Sequence, residues 1–246
     1  MMRDNLLLAR RVDSPELLDE GGCSEAEARR SLLDLRRLNQ MLFGVHATLA
    51  PVRALLHEAS KPASVLDVGT GSGQMAQELA RWALQVHARE TVAVRVFALD
   101  LLPRHLAYAR HWNEKMGTPH VHLIGGSALE LPLADQSVDY VISSLFLHHF
   151  DEPGLIRLFA ECRRVARGGL AMSDLWRHPL PYYLFKIIAE PFLVRSPITR
   201  IDGTRSLRRA YRPEEIRRIA GRVLPNVRVT THVWSMRWVL TSRWET

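Results

Sequence analysis

The chain has 246 residues, 47% of them hydrophobic, and a formal net charge of +7, which suits one α/β domain with modest additions. Two cysteines, Cys23 and Cys162, exclude a disulfide framework and a cysteine metal cluster. The most apolar stretch, 179–194, carries Lys186 and Glu190 and excludes a membrane span, so a soluble, cytoplasmic protein is expected. All but three of the 33 basic residues are arginine (the lysines are Lys61, Lys115 and Lys186), a skew read as codon composition rather than as a nucleic-acid groove.

Residues 1–22 read as a polar leader ending at Gly21-Gly22. Ser24-Glu25-Ala26-Glu27 has the spacing of a capping box and opens a helix to Met41. A second helix is expected over 46–59. These elements form a leader and helical cap, 1–60, ahead of a core at 61–246. From Ala63 strands alternate with helices: strands at 64–68, 92–99, 120–124, 138–143 and 169–173, and helices at 74–87, 103–116 and 152–165. Such alternation predicts a doubly wound, mostly parallel sheet with right-handed crossovers. Residues 179–212 interrupt it. Their aromatic and aliphatic side chains, from Tyr182 and Tyr183 to Phe192, read either as a helical lid over the sheet's crevice or as ordinary packing. A helix at 213–221 and close strands at 226–232 and 235–240 follow, and a terminal hairpin puts one antiparallel strand in the sheet.

The most informative segment is Val65-Leu66-Asp67-Val68-Gly69-Thr70-Gly71-Ser72-Gly73. A strand that stops at a glycine turn and re-enters as a helix brings backbone N–H groups to a ligand at the helix N-terminus. The turn lacks the Lys-Ser/Thr of a phosphate loop and the glycine offset of the dinucleotide fingerprint. Asp-x-Gly-x-Gly-x-Gly resembles the first motif of class I S-adenosylmethionine-dependent methyltransferases. That resemblance implies a Rossmann-like seven-stranded sheet with one reversed strand, and S-adenosylmethionine as cofactor. It makes Asp67, Gly69, Thr70, Gly71 and Gly73 the turn around the methionyl part, with the acid facing its amino group.

Ligands of open α/β sheets sit beyond the carboxyl ends of the strands. The second strand delivers Asp100, followed by Leu101. Asp100 reads as the ribose ligand, accepting two hydroxyls, or as a helix cap. After the third strand, Gly125-Gly126-Ser127-Ala128 resembles the family's adenine loop, with Ser127 where the family commonly has aspartate and Ala128 offering its N–H. Asp139 reads as an anchor for the start of the fourth strand. The resemblance runs from Val65 to Asp174.

The fourth strand ends Ser143-Ser144-Leu145-Phe146-Leu147-His148-His149. Ser144 joins the cofactor residues. His149 and His148 are candidate acceptors for a hydroxyl proton, because histidine trades protons near neutrality and a phenol needs a base there. In the alternative they pack or hydrogen-bond locally. Asp174, ending the fifth strand, is a third catalytic candidate, orienting a histidine or binding the acceptor; otherwise it caps, or pairs with an arginine such as Arg177. Arg200, Arg205, Arg208, Arg209 and Arg212 read as a solvated face from which one or two arginines clamp an acceptor carboxylate.

The expected activity is methyl transfer to a small, partly hydrophobic acceptor, a phenolic or polyketide/quinone-like hydroxyl, with oxygen favoured over carbon. An RNA or protein methyltransferase is the enzymatic alternative, and a non-catalytic cofactor-binding regulatory subunit is the alternative of another class. No metal site is implied, because the edge lacks the dense Asp/Asn grouping around magnesium. No nucleic-acid partner is expected, and the chain is read as a monomer or homodimer.

Overall fold

A computed structural model describes residues 8–18, 23–58, 62–87, 94–118 and 120–244. Seven strands form one sheet: β1 (Ala63–Val68), β2 (Val94–Asp100), β3 (His122–Gly125), β4 (Val138–Ser144), β5 (Ala166–Leu175), β6 (Arg228–His232) and β7 (Arg237–Arg243). Their spatial order is β3-β2-β1-β4-β5-β7-β6, with β1 to β5 parallel and β7 reversed between β5 and β6. The helices are α1 (Glu25–Met41), α2 (Gly44–Glu58), α3 (Gln74–His87), α4 (Pro103–Met116), α5 (Glu152–Val165), α6 (Pro179–Leu184), α7 (Pro197–Arg209) and α8 (Pro213–Ala220). A π-helical stretch, Phe185–Leu193, joins α6 to α7. No described helix is long and apolar enough to cross a membrane.

β1 is buried at all six positions, as a central parallel strand covered on both faces must be. One face packs Leu49, Val52 and Leu56 of α2 with Leu79 of α3 against Val65, Ile142 and Ala171. The other packs Leu155 and Phe159 of α5 and Ile216 and Ile219 of α8 against Leu66, Val141 and Trp238. The fully buried Trp238 donates its indole N–H to the Tyr211 carbonyl at 3.0 Å, so its polar atom is satisfied inside the core.

Helices α3, α4 and α5 match the ranges read from the sequence. Ser24 and Glu27 close the expected capping box reciprocally. The second expected helix begins two residues earlier, and its Ala59 lies outside the described residues, as do positions 92 and 93 of the second expected strand. β5 starts three residues early because it takes up its pairing with β4 directly after α5. β7 starts two residues late because Val233–Ser235 is a 3-10 turn.

The N-terminal elements differ most from expectation. α2 packs in one of the two main core clusters, and α1 packs Ala28 and Leu32 against Leu18 and Ile198. Residues 8–18, expected as a polar leader, lie against the domain. Leu8, Glu16 and Leu18 are buried, and the Asp202 carboxylate accepts the backbone N–H groups of Leu17 and Leu18 at 2.9 and 3.0 Å. Polar residues dock here because their partners are polar.

Candidate active site

The carboxyl ends of β1, β2, β4 and β5 open onto one cavity of about 440 Å³. Leucine and phenylalanine side chains from α1, the strand ends and α7 form most of its wall, and a few polar groups converge inside it.

The glycine turn forms the floor. Gly69, Gly71 and Gly73 all have positive φ, at 69°, 55° and 79°. The Thr70 N–H donates to the Leu99 carbonyl at 2.9 Å, and the Gly71 N–H donates to Asp100 Oδ2 at 2.8 Å, which ties the turn to the end of β2. Asp100 Oδ1 accepts the Leu102 N–H at 2.9 Å and lies 3.2 Å from His105 Nδ1. Burial raises the Asp100 pKa, but His105 and the two backbone donors outweigh it and hold the carboxyl below its ordinary value. A carboxylate offers about four acceptor positions. Three are engaged here, so His105 occupies one of the two that the sequence reading gave to a ribose. Leu102 is the N-cap of α4, so Asp100 is not.

Gly69, Gly71, Asp100, Leu101, Ser127 and Ala128 line the cavity. Ser127 Oγ accepts the Leu129 N–H at 3.1 Å, which rounds the loop over the site. Asp67, Thr70 and Gly73 stand behind the wall. Asp67 Oδ2 takes the Thr70 hydroxyl at 2.5 Å, and complete burial pushes the Asp67 pKa up to about 7 against that hydrogen bond. α1 supports the turn from outside: Arg36 donates to the Ser72 carbonyl at 3.3 Å and to Gln77 Oε1 at 2.8 Å.

Across the cavity stands the histidine pair, on a 3-10 turn (Leu147–His149) after β4. His148 is 3% exposed and held at both ring nitrogens, with Nδ1 2.7 Å from Asp174 Oδ1 and Nε2 3.1 Å from Glu16 Oε1. Burial pulls the His148 pKa down, but the two carboxylates outweigh it and push it up to about 10. Burial likewise raises Glu16, yet His148, His149 and the Ser206 hydroxyl bring it down to about 2. His148 is therefore an imidazolium clamped between two carboxylates. Asp174 also accepts the His148 backbone N–H at 2.8 Å, and Arg177 pairs with Glu215. His149 is the more exposed of the two. It lines the cavity, with Nε2 4.0 Å from Glu16 Oε2 and its ring 6.0 Å from that of Phe146.

Glu16, His148 and His149 bring ligand-type atoms within 4.8 Å of one another. Glu16 Oε1 and Asp174 Oδ1 each engage one nitrogen of the His148 ring, so the three acidic and basic groups form an ion-paired clamp. Ser144 lies behind the wall, and its Oγ accepts from Arg237 Nη1 at 3.0 Å.

A further wall of the cavity is formed by Phe185 of the π-helical stretch and by Thr199, Gly203, Ser206 and Leu207 of α7; Phe192 faces solvent. The arginine run bolts the N-terminal segment down. Arg205 donates to the Pro15 carbonyl at 2.7 Å, Arg212 donates to the Leu8 carbonyl at 3.2 Å, and Arg209 pairs with Asp13 Oδ1 at 3.6 Å. Arg11 returns the contact, reaching the His148 and Phe150 carbonyls at 2.8 Å each. Sequence reasoning missed Glu16, His105 and Arg237. His105, one helical turn after Asp100, carried a readable signal.

A family model described as a methyltransferase domain matches residues 65–169. The malonyl-[acyl-carrier protein] O-methyltransferase of Methylococcus capsulatus is 34% identical over 113 residues, 46% of this chain and 37% of that protein. The chain thus spans less than half the length of the curated relatives it matches. Among solved structures, a SAM-dependent methyltransferase from Aquifex aeolicus superimposes with a TM-score of 0.54 at 21% identity, covering 78% of this chain and 88% of that one. Magnesium protoporphyrin IX methyltransferase from Synechocystis PCC 6803 with bound SAH gives a TM-score of 0.57 at 16% identity, covering 87% and 93%.

Proposed function

We propose, proceeding from a chain whose residues 65–169 carry a methyltransferase domain of the class I fold, that the cavity binds S-adenosylmethionine and passes its methyl group to a small, partly hydrophobic acceptor. The acceptor group in this reading is a phenolic or polyketide/quinone-like hydroxyl. The observation that carries the reading is the Gly71–Asp100 bond at the floor of an apolar cavity whose far wall holds His149.

The residues present fit the cofactor. A Cβ at Gly71 would project into open space, so the turn leaves room for a ligand against its backbone. Asp100 retains an acceptor position for a ribose hydroxyl, and Ser127 and Ala128 would border the base. When bound, S-adenosylmethionine supplies a methyl carbon made electrophilic by its sulfonium. The chain aligns an acceptor with that carbon and keeps water away, which is the main catalytic demand of an in-line displacement. The leucine-rich wall and the N-terminal segment exclude water. His149 accepts the hydroxyl proton at Nε2, which stands 4.0 Å from Glu16 Oε2. His148 holds Glu16 and takes no proton, because both of its nitrogens are engaged. Oxygen as the acceptor atom agrees with the name of the Methylococcus relative.

Calorimetric titration with S-adenosylhomocysteine tests the reading. Wild type is expected to bind in the micromolar range. Asp100→Ala is expected to weaken binding by roughly 30- to 100-fold, the loss of charge-assisted hydrogen bonds worth about 2–3 kcal/mol. Failure of the folded wild type to bind would remove the reading.

A further inference from the structure

One charged group in the cavity is left over by the machinery described above. Arg237, the first residue of β7, is 3% exposed and lines the cavity. Among the described residues it makes one hydrogen bond, from Nη1 to Ser144 Oγ at 3.0 Å, its buried Nε has no partner, and no carboxylate lies within ion-pairing distance of it. The acid that acts on it electrostatically is Asp174, whose oxygens are taken by His148 and the Leu175 N–H. Burial pulls the Arg237 pKa down to about 10 against the pull of Asp174, so the group is cationic at neutral pH.

A guanidinium has five donors, and holding one out of water on a single hydrogen bond, with Asp174 acting only at longer range, is unfavourable. The surroundings are arranged to keep it there. A Cβ at Gly44 would lie 2.5 Å from the Arg237 Cζ and 2.2 Å from Asn39 Oδ1, so the start of α2 leaves room for the guanidinium and for the Asn39 amide, which also lines the cavity. Asn39 Oδ1 is itself buried without a partner. The hydroxyls of Ser144, Thr48 and Ser173 lie close together behind the cation, with Thr48 Oγ1 and Ser173 Oγ 2.5 Å apart. Hydroxyls stabilise a cation's position without neutralising it.

We infer that Arg237, backed by Ser144, binds a carboxylate inside the cavity. A single planar fork matches a single planar monoanion. A phosphate dianion would leave excess negative charge beside Asp174. The inference rests on the proposed methyltransferase reading, and the carboxylate has two sources within it: the methionyl end of the cofactor, or an acid group on the acceptor. In the second case the acceptor class narrows to hydrophobic acids.

The test titrates wild type and Arg237→Met with two matched pairs. The first pair is S-adenosylhomocysteine and S-adenosyl-3-thiopropylamine, which keeps the amine and lacks the carboxylate. The second is decanoate and decanol. A tenfold or greater loss for S-adenosylhomocysteine, with the thiopropylamine analogue unchanged, assigns the site to the cofactor. The same loss for decanoate, with decanol unchanged, assigns it to the acceptor. Equal affinity of the variant and wild type for both carboxylates overturns the inference and leaves the methyltransferase reading standing. If neither nucleoside binds wild type, that reading falls and the decanoate pair decides Arg237 by itself. Should Arg237→Met fail to fold, wild type still decides: no preference for the carboxylate member of either pair overturns the inference.

Discussion

Replacing His148 by alanine is expected to lower the unfolding free energy by about 3–5 kcal/mol, the range for breaking a buried ion pair by removing one partner. For a chain of this size that is a fall in Tm of roughly 10 °C. The reason is specific to the clamp, since alanine leaves Glu16 and Asp174 buried without their shared cation. The loss has a defined pH window. His148 is raised from 6.5 to about 10, so its contribution is complete below pH 6.5 and is lost as pH rises toward 10. Glu16 is lowered from 4.5 to about 2, so its contribution is complete above pH 4.5 and is lost as pH falls toward 2. The stability difference between wild type and His148→Ala should therefore be widest between about pH 4.5 and 6.5 and should narrow on both sides. Urea titrations at pH 3.5, 5.5 and 9.5 measure it. A difference independent of pH would show that His148 stabilises the fold by packing and not by charge. Adding Glu16→Gln to His148→Ala should recover part of the loss, because one stranded carboxylate is then neutral.

The same clamp shows where reading from sequence stops. The glycine turn, Asp100 and the strand-helix alternation were legible because their signals are local. β1 is mostly apolar and ends at the glycine turn, α3 to α5 keep helical periodicity, and each strand end marks a position on one sheet edge. Glu16 had no such signal. It sits in the polar stretch Asp13-Ser14-Pro15-Glu16, and its partner His148 is 132 residues away. Nothing in a polar segment's periodicity says that it will be buried against two histidines on the turn after β4 and a hydroxyl of α7. The arginines of α7 and of the α8 N-cap misled for the same reason. Their spacing suits a solvated face, but Arg205, Arg209 and Arg212 reach carbonyls and a carboxylate of a segment docked by tertiary contact. Arg237 offered a weaker clue, as a charged residue directly before the apolar run Trp238 to Leu240, and only the burial of that run gives the clue meaning.

The two glycines at the cavity floor should respond differently to alanine. Both have positive φ, a conformation that costs an L-residue roughly 1–2 kcal/mol. At Gly69 the added Cβ would also lie 2.3 Å from the Phe146 ring, whose neighbour Phe150 sits edge-on with ring centroids 5.0 Å apart. That ring cannot yield without disturbing the turn that carries His149. Gly69→Ala is expected to cost about 2–5 kcal/mol in stability, strain and overpacking together. At Gly71 the Cβ meets no atom within 4 Å, so the fold should lose only the conformational cost of about 1–2 kcal/mol. The space that the Gly71 Cβ enters is the space assigned to the cofactor, and S-adenosylhomocysteine affinity should fall at least 100-fold in a variant that still folds. Denaturant titration and calorimetry on the two proteins separate these outcomes. If Gly71→Ala binds as wild type does, no ligand approaches the turn closely, and the cofactor lies elsewhere in the cavity. If Gly69→Ala is as stable as Gly71→Ala, Phe146 moves freely and the cofactor floor is mechanically independent of the histidine turn.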